Sequence, residues 1–166
     1  MLNYDFEGIR KSGSDMISKM AQRKEQYSQT MNEKVFKSLL PNDKFEVDWK
    51  NIEEVFPDII SAMRNTPQDK GYHAEGDVWT HTKMVVESLM SLPEYQVQNE
   101  FDREVLFWSA LFHDIGKPGV TTFSDELQRI TSKGHSKRGM QDVRVIMWVA
   151  GFDPIIRESV ANIIEV

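Results

Sequence analysis

The 166-residue sequence contains no cysteine, which excludes disulfides, thiolate metal sites and a cysteine nucleophile. It has no apolar run near the roughly 20 residues that a membrane span needs. Its opening, MLNYDFEGIRKSGSD, lacks the apolar stretch of a secretory signal. An excess of basic charge is missing too: 20 basic side chains stand against 26 acidic ones, for a net charge of −6. No G-x-x-x-x-G-K-[ST] string occurs, and Gly116-Lys117-Pro118 is not one because the earlier glycine is absent. Neither an internal repeat nor a low-complexity tract is present. What remains is 40% hydrophobic, enough to bury one core of ordinary domain size and too much for a disordered chain. These features predict a soluble, cytoplasmic protein with no membrane association.

The charge is uneven. Residues 1–40 carry seven basic and five acidic side chains, whereas residues 41–166 carry 13 and 21. Within the acidic part, Arg129, Lys133, Lys137, Arg138 and Arg144 face only Asp142. A broad nucleic-acid footprint needs more positive charge than this, but such an island suffices for one or two phosphates. Its plainer reading is a solvated helix face.

Hydrophobic periodicity predicts an all-α protein. Met16, Met20, Tyr27, Met31, Val35 and Leu39 follow one amphipathic stripe, broken by Pro41-Asn42-Asp43 and expected to lie on a surface or a partner. Asp48 caps a helix through Trp49, Ile52 and Phe56, and Pro57 restarts it toward Met63. Asp77 caps a helix whose inner stripe reads Val78, His81, Val85, Ser88, Leu89 and Leu92. Another starts near Asp102, with Phe101 as its hydrophobic staple, and runs to His113-Asp114. Val120–Phe123 and Gln128–Thr131 suit a short β-hairpin. A helix follows Gly134-His135 and ends at Gly151, and Asp153-Pro154 opens a last one.

Two of the four histidines draw notice by position. His81 lies in an apolar stripe, and His113 precedes Asp114 at a helix end with Gly116-Lys117 behind it. A lone inward histidine is more often a hydrogen-bonded core residue. Two of them with a carboxylate suit a divalent ion, since imidazole and carboxylate accept borderline and hard metals.

The strings His73-Ala-Glu-Gly-Asp77-Val-Trp-Thr-His81-Thr, Ala110-Leu-Phe-His113-Asp114-Ile-Gly-Lys117-Pro118 and Gly134-His135-Ser-Lys-Arg138-Gly occur in that order. Together they resemble the HD-domain metal-dependent phosphohydrolases. Within that superfamily they resemble the HD modules of tRNA nucleotidyltransferases, and more closely those of RNA-repair polynucleotide kinase fusions. The resemblance runs from about Trp49, through Thr66-Pro67-Gln68-Asp69, to Arg157-Glu158. It implies an HD-like helical bundle over residues 46–166 and leaves 1–45 as an N-terminal helical extension.

The resemblance also implies roles. His81, His113 and Asp114 match metal ligands, and His135 matches a histidine that helps hold a second metal in many members. Lys117 matches a lysine for phosphate binding or leaving-group charge, giving Asp114 and Lys117 as catalytic candidates. Arg138 and His73 are further candidates for substrate binding. Glu75 and Asp77 share the matched string without a clear role, and Asp77 reads equally well as a helix cap. Thr121 and Thr122 either contact substrate or begin the hairpin strand, the latter favoured. The ion is divalent, and such ligands accept manganese, magnesium, nickel, cobalt, iron or zinc. The implied reaction removes phosphate from monoesters or cyclic phosphates, with RNA 2′- or 2′,3′-cyclic phosphate ends as substrate.

Two departures accompany this. The family's late aspartate should follow Ile163-Ile164, where the sequence stops at Val166, so the HD-like region is expected to be truncated. A kinase module, if any, would lie C-terminal to this chain. The alternatives are HD chemistry on free nucleotides and a non-catalytic helical binding module. The N-terminal helix also offers a surface for a homodimer.

Overall fold

The computed structural model describes residues 3–71, 74 and 76–166. The expected all-α architecture is present, joined by one small hairpin. The N-terminal segment forms three helices, α1 (Phe6–Gln22), α2 (Lys24–Tyr27) and α3 (Glu33–Lys37). The single helix expected over Met16–Leu39 is therefore interrupted. Polar side chains between the helices capture backbone carbonyls: Ser28 donates to Glu25, Thr30 to Tyr27 and Asn32 to Ser28. Asn32 then accepts from the Val35 N–H and caps α3. Short polar side chains compete in this way with helix continuation.

The segment keeps a polar outer face, and its apolar face packs on this chain's own core. Ile17, Met20, Met31, Phe36 and Leu39 are buried in the same core as the later helices. Phe36, off the stripe read from the sequence, is its aromatic hub. Its ring meets Phe56 at 5.1 Å, Trp108 at 5.4 Å and Phe152 at 5.0 Å between centroids. Such tilted and edge-on arrangements suit the ring quadrupoles.

Helices α4 (Trp49–Val55) and α5 (Pro57–Arg64) begin as expected, at the Asp48 cap and with Pro57 in the first turn. Helix α6 (Val78–Ser91) is capped by Asp77, whose carboxylate accepts from the Thr80 N–H and hydroxyl. Pro93 opens the short α7 (Pro93–Gln96), and α8 spans Glu100–Phe112. Asn99 caps α8 by accepting from Asp102 N–H, so the helix starts earlier than the expected Asp102. Phe101, placed inside its first turn and 44% exposed, is no staple.

After a 3₁₀ turn at Lys117–Gly119, strands β1 (Thr122–Ser124) and β2 (Arg129–Thr131) form the hairpin, with Phe123 opposite Ile130. Helices α9 (His135–Val149) and α10 (Pro154–Glu165) complete the described chain and pack closely on each other. No described helix is long and apolar enough to cross a membrane.

The inner face of α6 differs from the stripe expected. Val78, Trp79, Thr82, Val86 and Met90 are buried. His81, Val85, Ser88, Leu89 and Leu92 instead line a cavity of about 760 Å³ open to solvent. The helix is rotated by about one residue relative to the sequence reading. His81 thereby sits at the edge of the core, facing space a ligand can enter.

Candidate metal centre

Four separate elements deliver the polar centre. His81 comes from the first turn of α6, and His113 caps the C-terminal end of α8 with Asp114 next to it. Lys117 begins the 3₁₀ turn, and His135 is the first residue of α9. Asp114 is 2% exposed and forms their common point. Its Oδ2 lies 3.8 Å from His81 Nε2, 3.2 Å from His113 Nε2 and 2.7 Å from Lys117 Nζ, and its Oδ1 lies 3.4 Å from His135 Nε2.

Two glycines make this convergence possible. Gly134 precedes α9 with φ of +80°, a left-handed conformation that glycine adopts without a side-chain penalty. Gly116 lies so close to α9 that a Cβ there would collide with the His135 carbonyl and the Gly139 backbone. The turn after Asp114 and the start of α9 are thus in backbone contact. On the opposite side, Gly13 of α1 packs on Pro118, and Arg10 donates to the Thr121 carbonyl at 3.2 Å. The N-terminal helix backs the turn that carries Lys117.

The donor set fits a cation. His113 Nδ1 is 2.8 Å from the Ala110 carbonyl and His135 Nδ1 is 2.9 Å from the Ser132 carbonyl. A carbonyl only accepts, so each Nδ1 carries a proton and each Nε2 is turned toward Asp114. A neutral Nε2 and a carboxylate oxygen repel unless something positive lies between them. Asp114 Oδ2 is buried, and none of its contacts has the alignment of a hydrogen bond, although Lys117 pairs with it by distance. One ligand atom each from His81, His113 and Asp114 lie within 4.8 Å of one another, as one ion requires. Without an ion, a proton on His113 answers the same need for positive charge. Burial works against the charge on Asp114, but His113 and Lys117 outweigh it and hold the carboxyl well below its usual range. Burial likewise opposes charge on His113, yet Asp114 and the Ala110 carbonyl raise its pKa above the ordinary value.

Lys117 is 7% exposed, with its Nζ shared between Asp114 and Gln68 Oε1 at 2.5 Å. Gln68 was given no role by the sequence, and only its place in Thr66-Pro67-Gln68-Asp69 marks it. Both residues line a second cleft, of about 390 Å³, with Arg129, Ser132 and His135. The centre therefore stands between an apolar cavity on the α6 side and a polar cleft on the hairpin side.

Other expected residues lie elsewhere. Arg138 is engaged by other partners: its guanidinium donates to Asp142 at 2.8 Å and to Ser14 at 3.2 Å, tying α9 to α1. Asp77 is occupied as a helix cap. Thr121 is buried, donating to the Lys117 carbonyl and contacting Ser132, while Thr122 belongs to β1. His73 and Glu75 lie outside the described residues.

The Arg138–Asp142 pair carries a pH prediction. Burial pushes the Asp142 carboxyl up to about 6, against the opposing pull of Arg138. Its unfolded value is about 3.9, so the folded state holds this proton more tightly. The stability that Asp142 contributes is full below about pH 4 and is lost as pH rises through about 6. Urea denaturation of wild type and Asp142→Asn should show their stability difference moving by about 3 kcal/mol against the wild type between about pH 4 and pH 7.5. A constant difference across that range would contradict the assignment.

The HD domain family model matches residues 78–165, more than half of the chain and every described residue of the centre except Gln68. The chain belongs to the HD domain family. HD proteins are generally metal-dependent hydrolases, and the His81–His113–Asp114 cluster has a geometry that could hold a metal ion. Similar proteins include the Multifunctional CCA protein of Mannheimia succiniciproducens, 30% identical over 116 residues, covering 69% of this chain and 26% of that protein. The Multifunctional CCA protein of Pasteurella multocida is 29% identical over 105 residues, covering 60% and 23%. The chain spans about a quarter of the length of these relatives. No solved structure gives a significant match.

Proposed function

We propose that this HD domain removes phosphate from RNA ends carrying a 2′-phosphate or a 2′,3′-cyclic phosphate. The observation that carries the reading is a buried carboxylate, Asp114, approached by three imidazoles and one ammonium at the base of open cavities. His81, His113 and Asp114 would hold a divalent ion, which when bound would supply positive charge to acidify water and polarise a phosphoryl oxygen. Lys117 adds a fixed cation beside the polar cleft, placed to oppose charge on a phosphate or on the departing ribose oxygen. Gln68 and Asp114 hold that ammonium, so its orientation costs nothing when substrate arrives. His135, at the rim shared by both cavities, is placed to bind a phosphate oxygen or to help hold a second ion. The RNA-end substrate is supported by the resemblance of the ordered motifs to RNA-repair HD modules.

The test is phosphate release from RNA oligonucleotides with 2′-phosphate or 2′,3′-cyclic phosphate ends, and from the matching free nucleotides, with Mn²⁺, Ni²⁺ or Mg²⁺. Metal-dependent release from RNA ends is expected, reduced about 100-fold or more in Lys117→Ala. Release from free nucleotides alone would move the substrate class. No release from any of them would leave a helical binding module.

A further inference from the structure

The polar cleft beside Lys117 adjoins a second space at the hairpin. It shares Gln68, Asp69, Arg129 and Ile130 with a larger cavity of about 850 Å³. That cavity lies between the N-terminal segment, the loop before α6 and the hairpin. Tyr4, Phe6 and Phe123 bring aromatic rings to it, and the first two are 5.7 Å apart at an interplanar angle of 52°. Asn65 and Gln128 add amide groups, and Arg129 stands at the junction between the two spaces. The two spaces thus adjoin across these residues, with Lys117 and His135 on one side and aromatic rings with hydrogen-bonding side chains on the other. The opposite cavity also reaches the centre, at His81, His113 and His135, but its outer wall at Met84, Val85, Leu89, Leu92 and Leu106 brings no aromatic ring to a base.

Resting on the phosphohydrolase reading above, we infer that the aromatic cavity takes the base of the nucleoside whose phosphate is removed. The base stacks on Phe123, with Tyr4 and Phe6 at its edge, while the ribose spans the Arg129–Gln68 junction and the phosphate reaches Lys117 and His135. Every base has a π-face, so aromatic stacking binds nucleotides with little sequence preference. Asn65 and Gln128 each offer both a donor and an acceptor to a base edge. Phe123 is the specificity residue: it selects a nucleoside phosphate over a phosphate on a small alcohol. Residues 3–6 complete the subsite, a use for the N-terminal segment beyond its part in the core.

The experiment compares adenosine 2′-phosphate with glycerol 2-phosphate as substrates, and measures contact with adenosine itself by saturation-transfer NMR. Phe123→Ala should raise KM for the nucleotide about 10-fold, leaving its kcat and the kinetics on glycerol 2-phosphate within about twofold. Phe123→Trp should restore the nucleotide KM. Adenosine base protons should receive saturation from wild type and lose it in Phe123→Ala. Tyr4→Ala, at a half-exposed position near the chain start, should shift the same KM without threatening the hairpin. Met84→Ala, in the opposite cavity, should change neither. Equal effects of Phe123→Ala on both substrates, or adenosine saturation unaffected by Phe123→Ala and Tyr4→Ala, would overturn the inference. Adenosine contact that depends on Phe123 supports the subsite even if no phosphate is released from any substrate, an outcome that would remove only the phosphohydrolase reading.

Discussion

Asp114→Asn will lower metal-supported phosphate release about 1000-fold or more and will also destabilise the metal-free protein. Both effects follow from one oxygen pair. The Asp114 carboxylate is approached by His81, His113, His135 and Lys117 together. Asparagine keeps the shape, but its charge is gone and one oxygen becomes an amide donor. The His81–His113–Asp114 set then has two imidazoles and a poor third ligand. Catalysis suffers because the positive groups lose the anion that orients them. Stability suffers separately. Lys117, almost fully buried, would be left with only neutral partners there, Gln68 and the amide oxygen. Removing one member of a buried ion pair costs about 3–5 kcal/mol. Urea denaturation in chelator measures that loss without any contribution from bound metal. A variant with wild-type activity would rule out the centre, and wild-type stability in chelator would rule out the buried pairing.

Gly116→Ala is expected to disturb the same centre by a steric route. A methyl group there meets the backbone of α9 at His135 and Gly139, which cannot rotate aside as a side chain can. The turn and the helix must separate, at a cost of about 3 kcal/mol. Because His135 is the first residue of α9, separation carries its imidazole away from Asp114. A displacement of about 1 Å in such a site reduces turnover about 100-fold. Gly134→Ala is the contrasting control. Nothing lies within 4 Å of a Cβ at Gly134, so only its positive φ opposes the change, at about 1–2 kcal/mol. Thermal melts and phosphate release on both variants would separate crowding from backbone strain. Equal stability losses would contradict the close contact at Gly116.

Except for the start of α8, the main helices after Asp48 were legible because their caps and proline starts are local chemistry. Asp48, Asp77 and Asp153 all accept backbone N–H groups as their sequence positions suggested. The N-terminal segment was less legible. Its break depends on Ser28, Thr30 and Asn32 capturing carbonyls, and the burial of Phe36 depends on partners far along the chain. The α6 stripe shows a different limit. Val85, Leu89 and Leu92 have the spacing of a buried face, yet they border a cavity, and periodicity does not tell a core from a pocket wall. At the centre, His81, His113 and Asp114 could be read as a group, and the structure brings them together. Arg138 illustrates the converse, because a basic residue near a glycine and a histidine resembles a phosphate ligand until Asp142 and Ser14 are seen beside it. Gln68 had no signal of its own, since its importance is a contact made 49 residues away.

The most direct test of the account is a Mn²⁺ titration of the metal-free protein, followed by electron paramagnetic resonance, on wild type, His81→Ala and His113→Ala. Saturable binding of at least one ion per chain is predicted for the wild type, weakened about 10-fold or more in each variant. Folded wild-type protein that binds no Mn²⁺, or variants that bind it as tightly as wild type, would contradict a metal centre built on His81, His113 and Asp114.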